Sequence, residues 1–414
     1  MSTIPRHVEK LELKDPASVV SYLRGTKFAC REVRQIKLGS TNFTYRLFLD
    51  APYGHNQVRT AILKYAASHT ASEPCVNFSS DRQLYEARAM TKIPWEQFEI
   101  PASDLAKQLP ILSVPKLYFE DIAHHVIIME DGTPRKGCET WDEISHSARI
   151  FLEDIPASKE KYETAIVIGH LLGSFLARLQ DWGNQSMNAE ITSAAFSQNS
   201  FGKELIVDET FRDFYRNLHK TTLDMNSQLK DKLGTKIADL EERLYGNLET
   251  VAMGDFWLGN VLLSFSSEHK LERLSIIDWE FMMLGPSFLD LGHFIGEIFL
   301  IHYFESNDSV YIFLLRAFIQ AYRHLIKEID IERAICYAGA HIIMALPRRI
   351  TSPRSKATCS TASACAQQAV KFMTDSELGS LNKQDDSPMY KKSRDKDALE
   401  MILQIMEERR TAME

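Results

Sequence analysis

Residues 253–281 read MGDFWLGNVLLSFSSEHKLERLSIIDWEF. Asp255 and Asn260 stand five residues apart, with Gly254 before the first and Gly259 before the second. That spacing fits neither a helical repeat nor strand alternation, and the glycines mark a tight turn. Val261-Leu262-Leu263 and Leu274-Ser275-Ile276-Ile277 are short apolar runs on either side of the polar connection Ser266–Lys270. Two such runs read as a β-hairpin. Asn260 precedes the outgoing strand and Asp278 ends the returning one, so the hairpin carries both to one end, beside Asp255.

Two carboxylates and an amide at one point offer oxygen ligands, which suit a hard cation such as Mg²⁺. Mg²⁺ keeps waters and substrate phosphates in its shell, so Asn260 and Asp278 suffice as protein ligands. Asp255 is then left to orient a hydroxyl and accept its proton. That is the equipment of phosphoryl transfer. The same residue types also make ordinary solvated turns, so the elements upstream have to decide between the two.

Upstream, Val33, Ile36 and Leu38 lead into Gly39-Ser40-Thr41-Asn42, and Phe43–Leu49 follows: strand, small polar turn, strand. The turn is either a plain hairpin or a place where successive backbone N–H groups meet a phosphate. A third strand, Val58–Tyr65, carries Lys64 near its end. A lysine there guards an edge strand or binds phosphate. A helix then starts at Ser80, with Gln83 completing a capping box and Leu84, Ala87 and Met90 at helical spacing. Glu86 lies on it, either as a solvated charge or as the partner of a strand lysine. Val114–Phe119 and Val126–Met129 read as two more strands. Glu130-Asp131-Gly132 ends the last of these, and backbone groups at such a hinge can hold adenine, with Met129 and Asp131 flanking it. Singly each residue is ambiguous. Their order is that of a nucleotide-dependent kinase: glycine turn, strand lysine, helix glutamate, then Asp-x4-Asn and Asp.

The rest of the chain reads as helical. An N-terminal helix is signalled by Asp15-Pro16 and closed by Gly25. Lys161–Trp182 has an apolar stripe through Ile168, Leu172, Phe175 and Leu179. Phe211–Leu218, Leu223–Leu248, Phe288–Leu300, Val310–Lys327 and Ile331–Ala345 are further helices. Residues 350–395 are rich in Ser, Thr, Lys and Arg and read as loop, and Asp397–Arg409 as a closing helix. The resulting division is an extension with a short helix (1–26), a nucleotide-binding lobe (27–130), a hinge and linker (131–160) and a helical lobe (161–414). The fold class is α+β, bilobal, with a small antiparallel sheet lobe and a larger helical lobe.

Composition narrows the setting. The 414 residues are 44% hydrophobic and 25% charged, with formal net charge −8, which suggests no nucleic-acid partner. The six cysteines are scattered without a Cys-x2-Cys pair, as for reduced thiols in the cytoplasm. The most apolar stretch, Phe294–Phe304, is too short to span a bilayer. No feature sets an oligomeric state.

The motif Gly254-Asp255-Phe256-Trp257-Leu258-Gly259-Asn260, with Ile277-Asp278-Trp279-Glu280-Phe281 and then Gly285-Pro286 and Asp290-Leu291-Gly292, resembles the aminoglycoside phosphotransferase / choline kinase superfamily, in its fungal small-molecule kinase branch. It is also similar to methylthioribose kinases. The resemblance covers about residues 30–345. It implies a protein-kinase-like fold, ATP and Mg²⁺ as cofactors, and a small-molecule hydroxyl as acceptor. It also implies Asp255 as catalytic base, Asn260 and Asp278 as metal ligands, Lys64 as phosphate-binding lysine with Glu86 as partner, and Asp290 as support for the catalytic loop. The chain departs from the family at Met253, where a loop-supporting His is usual, and in a phosphate loop poor in glycine. Those departures keep a second reading in view, a kinase-like protein that binds nucleotide or a partner without transfer. The acceptor pocket is implied to lie in residues 135–250 and 300–400, where Glu139, Asp142 and Glu143 are either attractors of a cationic acceptor or a solvated loop.

Overall fold

The computed structural model describes residues 12–37, 39–98, 110–132, 147–154, 156, 158–221, 223, 225–246, 248–266, 270–304, 308–326, 330–351, 358–375, 402 and 404. Glu139, Asp142 and Glu143 lie outside them, as does nearly all of Asp397–Arg409.

Helix α1 (Pro16–Leu23) starts as its sequence dictates. Asp15 Oδ1 accepts from Ser18 N at 3.0 Å, Pro16 occupies the first turn, and Gly25 follows at φ +76°. Val19 and Leu23 are buried with Leu13, Tyr45, Leu47, Leu63 and Ile128 in one cluster. The segment expected as an extension is thus part of the sheet lobe's outer core.

Strands β1 (Cys30–Ile36), β2 (Phe43–Tyr53) and β3 (Val58–Tyr65) form a meander. Helix α2 (Arg82–Lys92) follows. Its expected capping box is absent: Asp81 is the cap residue, already helical at φ −64°, and Ser80 Oγ meets His125 Nε2 at 3.2 Å instead. After β4 (Ile111–Ser113) come β5 (Leu117–Asp121) and β6 (Val126–Glu130), with His125 at φ +53° turning the chain between them. The sheet has five antiparallel strands in the order β1-β2-β3-β6-β5. Alternation along β3 sends Ala61, Leu63 and Tyr65 to the outer core, and Ile62 and Lys64 to the opposite face.

The second lobe is helical. Within the expected linker, residues 131–160, lies a helix, α3 (Ala148–Asp154), ahead of α4 (Lys159–Asn184). Next are α5 (Ala189–Phe196), α6 (Ser200–Ile206), a π-helical turn (Val207–Arg212), α7 (Phe214–His219) and α8 (Ser227–Gly246). The single helix expected over Phe211–Leu218 is therefore split by the π turn. Strand β7 (Thr250–Ala252) pairs with β10 (Met283–Gly285), and between them the hairpin β8 (Val261–Phe265) and β9 (Leu271–Ile276) adds β4 in parallel on its far side. Helices α9 (Phe288–Phe304), α10 (Val310–Leu325), α11 (Ile331–Thr351) and α12 (Cys359–Asp375) complete the lobe.

Glycines set two of its contacts. A Cβ on Gly169 or Gly173 of α4 would come within 2.2 and 2.1 Å of the Leu314 and Phe318 carbonyl oxygens of α10, so these helices pack backbone to backbone. Helix α12 corrects the expectation of loop over 350–395. Its buried residues are Ala362, Cys365, Ala366 and Ala369, then Val370, Phe372 and Met373 near its end, and Gly339 of α11 lets it approach. A stripe built mostly of Ala and Cys between Ser and Thr has little hydrophobic contrast. The architecture is α+β and bilobal, of protein-kinase type.

Candidate active site

The catalytic loop hangs from the first turn of α9. Asp290, fully buried, accepts from the backbone N–H of Met253 at 2.7 Å and of Gly254 at 2.8 Å. Burial raises its pKa to about 6 against the pull of those two amides. Gly254 has φ +83°, and a Cβ there would lie 2.9 Å from that of Phe281, so glycine is required twice over.

Beyond it, Asn260 Nδ2 donates to the Asp255 carbonyl at 3.0 Å and to Asp255 Oδ2 at 2.8 Å. The loop closes on itself, and the Asn260 amide is left with its oxygen as the end available to a cation. Burial raises Asp255 to about 7, opposed by Asn260 and reinforced by Asp278, Glu297 and Glu280. The hairpin then returns the chain: Ile277 N donates to Asn260 O at 2.9 Å, and Asp278 follows at φ +65°.

Lys64 bridges the lobes. Its Nζ lies 2.6 Å from Glu86 Oε1 and also contacts the Asp278 carboxylate. Burial would discharge the lysine, but Asp278, Glu86 and Glu280 outweigh it and hold its pKa above the usual value. Glu86 is raised to about 7 by burial, with Lys64 opposing. The cleft beside this bridge has a volume of about 330 Å³, a size suited to a small ligand. Gly39, Thr41, Asn42, Lys64, Met129, Asp131, Asn260 and Asp278 all line it, whereas Ser40, Glu86 and Asp255 do not. Glu86 backs Lys64 from behind, and Ser40 is exposed, its carbonyl accepting from Ser72 N at 3.1 Å.

The donors fit a hard divalent cation, since Asn260 and Asp278 present an amide oxygen and a carboxylate at the hairpin's one end. The chain is similar to several known proteins. A model of the ecdysteroid kinase-like family matches residues 172–302. The chain is 28% identical over 341 residues to 4-hydroxytryptamine kinase of Psilocybe cyanescens, covering 80% of this chain and 86% of that protein. It is 24% identical over 317 residues to methylthioribose kinase of Bacillus pumilus, covering 72% and 68%. The GDP complex of aminoglycoside 2'-phosphotransferase-IIIa superposes with a TM-score of 0.44 at 10% identity, covering 88% of this chain and 98% of that one. The chain is a relative of small-molecule kinases.

In this kinase-like frame, three features were missed in the sequence. Glu280 is buried and takes Thr41 Oγ1 at 2.8 Å and Asn42 Nδ2 at 2.5 Å, while Arg82 Nε holds Asn42 Oδ1 at 2.9 Å and lies 3.5 Å from Glu280. The turn at residues 39–42 is thereby tied to the segment after Asp278. At the hinge, Arg46 Nε donates to Asp131 Oδ2 at 2.8 Å, and both are buried. Gly132 O accepts from Arg273 Nη2 at 2.8 Å and Ser275 Oγ at 3.0 Å, so the hinge is bolted to β9. Neither link carries a local pattern. Met253, where the family has His, is fully buried, and its backbone is held by Asp290.

Proposed function

We propose that the protein transfers the γ-phosphoryl group of ATP, with Mg²⁺, to a hydroxyl group of a small molecule. One observation carries the reading: Lys64, paired with Glu86, reaches Asp278 across a cleft whose far end is the Asp255–Asn260 loop. Phosphates in that cleft would meet Lys64 and the backbone of residues 39–42, with adenine at Met129–Asp131. Asn260 and Asp278 would hold the Mg²⁺, which supplies charge neutralisation on the phosphates. Asp255 would orient the acceptor hydroxyl and take its proton onto a carboxylate oxygen as the new O–P bond forms. Two of its surroundings suit that role: Asn260 fixes Oδ2, and burial makes the carboxylate a stronger base than a solvated Asp.

The named relatives act on small molecules, and 4-hydroxytryptamine and methylthioribose are the first acceptors to try. Cys30, Cys75, Cys336 and Cys365 are free thiols, which fits a cytoplasmic setting, and no described helix is long and apolar enough to cross a membrane. The lobes divide at the hinge, near residue 130. The test is phosphate transfer from ATP to a metabolite panel, beside ATP binding with and without Mg²⁺. Magnesium-dependent transfer to a panel alcohol is expected. Tight nucleotide binding with no turnover, acceptor or none, would replace the reading by one of nucleotide binding alone.

A further inference from the structure

Behind the catalytic loop lies a buried cluster that the mechanism above does not use. His293 and Glu297 project from α9, and His341 and Arg349 from α11, all less than a tenth exposed. Glycine brings the helices close enough for this. A Cβ on Gly292 would come within 2.4 Å of the Ala334 carbonyl oxygen, and one on Gly296 within 3.1 Å of His341 Cδ2. The two imidazoles consequently stack, with ring centroids 4.1 Å apart at 36°.

The ligating atoms of His293, Glu297 and His341 lie within 4.8 Å of one another, as in a small metal site. The charges argue against one. Glu297 gives one oxygen to His341 Nε2 at 2.9 Å and the other to the Arg349 guanidinium. Its single negative charge is already matched, and a dication would face Arg349 directly.

The cluster points instead at Asp255. The His293 ring lies against the backbone of Gly254, and its Nε2 is 3.7 Å from Asp255 Oδ1. The Asp255 carboxylate therefore sits between two neighbours, Asn260 Nδ2 on Oδ2 and the His293 ring on Oδ1. The groups facing His293 are Asp255 from the loop, Glu297 on its own helix, and His341, Arg348 and Arg349 from α11. Burial holds its pKa down, to about 4, so the ring is neutral at pH 7 and does not neutralise Asp255.

We propose that His293 is a positioning residue for phosphoryl transfer, packing against Gly254 and against the Oδ1 side of Asp255 so that the catalytic loop and its carboxylate keep one orientation. The His341–Glu297–Arg349 group holds the imidazole in place from behind. Asn260 is already spent on Oδ2, so without His293 the carboxylate is free to turn its remaining oxygen away from the hydroxyl. A misplacement of this size at a reacting group costs rate rather than ground-state binding.

The proposal rests on the kinase reading, and its test separates the two. The probe is MgATP with water as acceptor, together with any panel alcohol that turns over. His293→Leu is expected to lower kcat about 10- to 30-fold with KM for MgATP within about twofold. His293→Gln, which keeps an N–H donor, should recover a large part of that loss. In an Asp255→Asn background, His293→Leu should cost less than about twofold, because a residue acting through Asp255 has nothing left to position. Equal losses in the two backgrounds, or an unchanged kcat in His293→Leu, would overturn it.

Hydrogen exchange gives a readout that does not depend on turnover. In His293→Leu and His293→Ala, the amides of residues 253–260 should exchange faster while those of α4 and α10 stay as in the wild type, and His293→Gln should lie between them and the wild type. Unchanged loop exchange in His293→Leu, or in His293→Ala where the leucine variant is too unstable to assay, would overturn the anchoring role. Absence of any magnesium-dependent ATP turnover in the wild type would sink the kinase reading and leave the loop-exchange result to judge His293 by itself.

Discussion

Two acidic clusters lie beside the catalytic loop, one half-buried and one buried, and they are built differently. On the cleft side, four carboxylates (Asp255, Glu86, Asp278 and Glu280) face two cations, Lys64 and Arg82. On the helix side, Glu297 is matched by Arg349 and His341. The carboxyl groups respond accordingly. Burial raises Asp255, Glu86 and Glu280, with Lys64 countering only part of this at Glu86 and Glu280, whereas at Glu297 Arg349, His341 and His293 together outweigh burial and pull it well below the usual range. A cluster in balance is scaffold. A cluster two negative charges in excess is one that a divalent cation would complete, and this asymmetry separates site from support more sharply than either cluster's residues do alone.

The largest effects should come from breaking the cleft side. Asp255→Asn keeps the shape and the Asn260 contact but removes the basicity, and turnover should fall by about 10²–10⁴ with MgATP affinity nearly unchanged. Asp278→Asn should lose MgATP binding as well as turnover. Single-turnover transfer beside MgATP titration separates the two, and full activity in Asp255→Asn would remove the catalytic assignment. Breaking the helix side should instead register in stability. Arg349→Met leaves Glu297 buried and unmatched, at a cost of about 3–5 kcal/mol, measurable by urea unfolding. Arg349→Met with wild-type stability would show that the cluster is not in balance as described.

Glu280 sharpens the comparison, since it belongs to the cleft side by charge but ties two segments together like a scaffold residue. Glu280→Gln retains a hydrogen-bond acceptor for Thr41 or Asn42 and gives up the charge. If its part is to seat the turn at residues 39–42 over the phosphates, KM for MgATP should rise about tenfold, the loss of one charge-assisted hydrogen bond, with kcat changed less. A change confined to kcat would place Glu280 with the reacting groups instead.

What the sequence disclosed follows the same division. The hairpin 253–281, the strand lysine and the five-stranded sheet were legible because each depends on spacing within a short stretch: alternation along β3, glycines at 254 and 259, and an Asp closing the returning strand. Lys64 and Glu86 are 22 residues apart and meet because a strand and its following helix must pack together. The Glu280–Thr41 contact joins residues 239 apart, and the His293–Asp255 approach depends on glycines that seat α9 on α11. Neither has a local signature. Helix α12 was missed for a third reason, because an Ala- and Cys-lined stripe among Ser and Thr is apolar enough to bury but not to stand out.

The smallest effect expected is a dependence of stability on pH. Asp255 and Glu86 in the folded protein titrate near 7, above the ordinary range near 4 that applies when the chain is unfolded. The folded state therefore binds their protons more tightly. Their stabilising contribution is full below about pH 4 and is lost as pH rises through about 7. Glu297 runs the other way, but its lowered value puts its loss in acid, outside this window. Between pH 6 and 8 His293 and His341, held down to about 4 by burial, gain stability as their unfolded forms lose protons near about 6.5. Asp290 loses some alongside Asp255 and Glu86. The part due to Asp255 is therefore read as the steeper loss of stability from pH 6 to 8 in nucleotide-free wild type than in Asp255→Asn. The Asp255 side chain is a third exposed, so screening trims the effect to the order of 1 kcal/mol, about 2 °C in a chain of this size. Asp255→Asn should flatten the slope and raise the melting temperature at pH 8, a gain in stability from the same change that removes activity. Mg²⁺ with ATP should also flatten it, by balancing the excess charge rather than deleting it. A melting-temperature slope from pH 6 to 8 that is the same in nucleotide-free wild type and Asp255→Asn would mean that Asp255 carries no excess charge, and the contrast between the two clusters would fail.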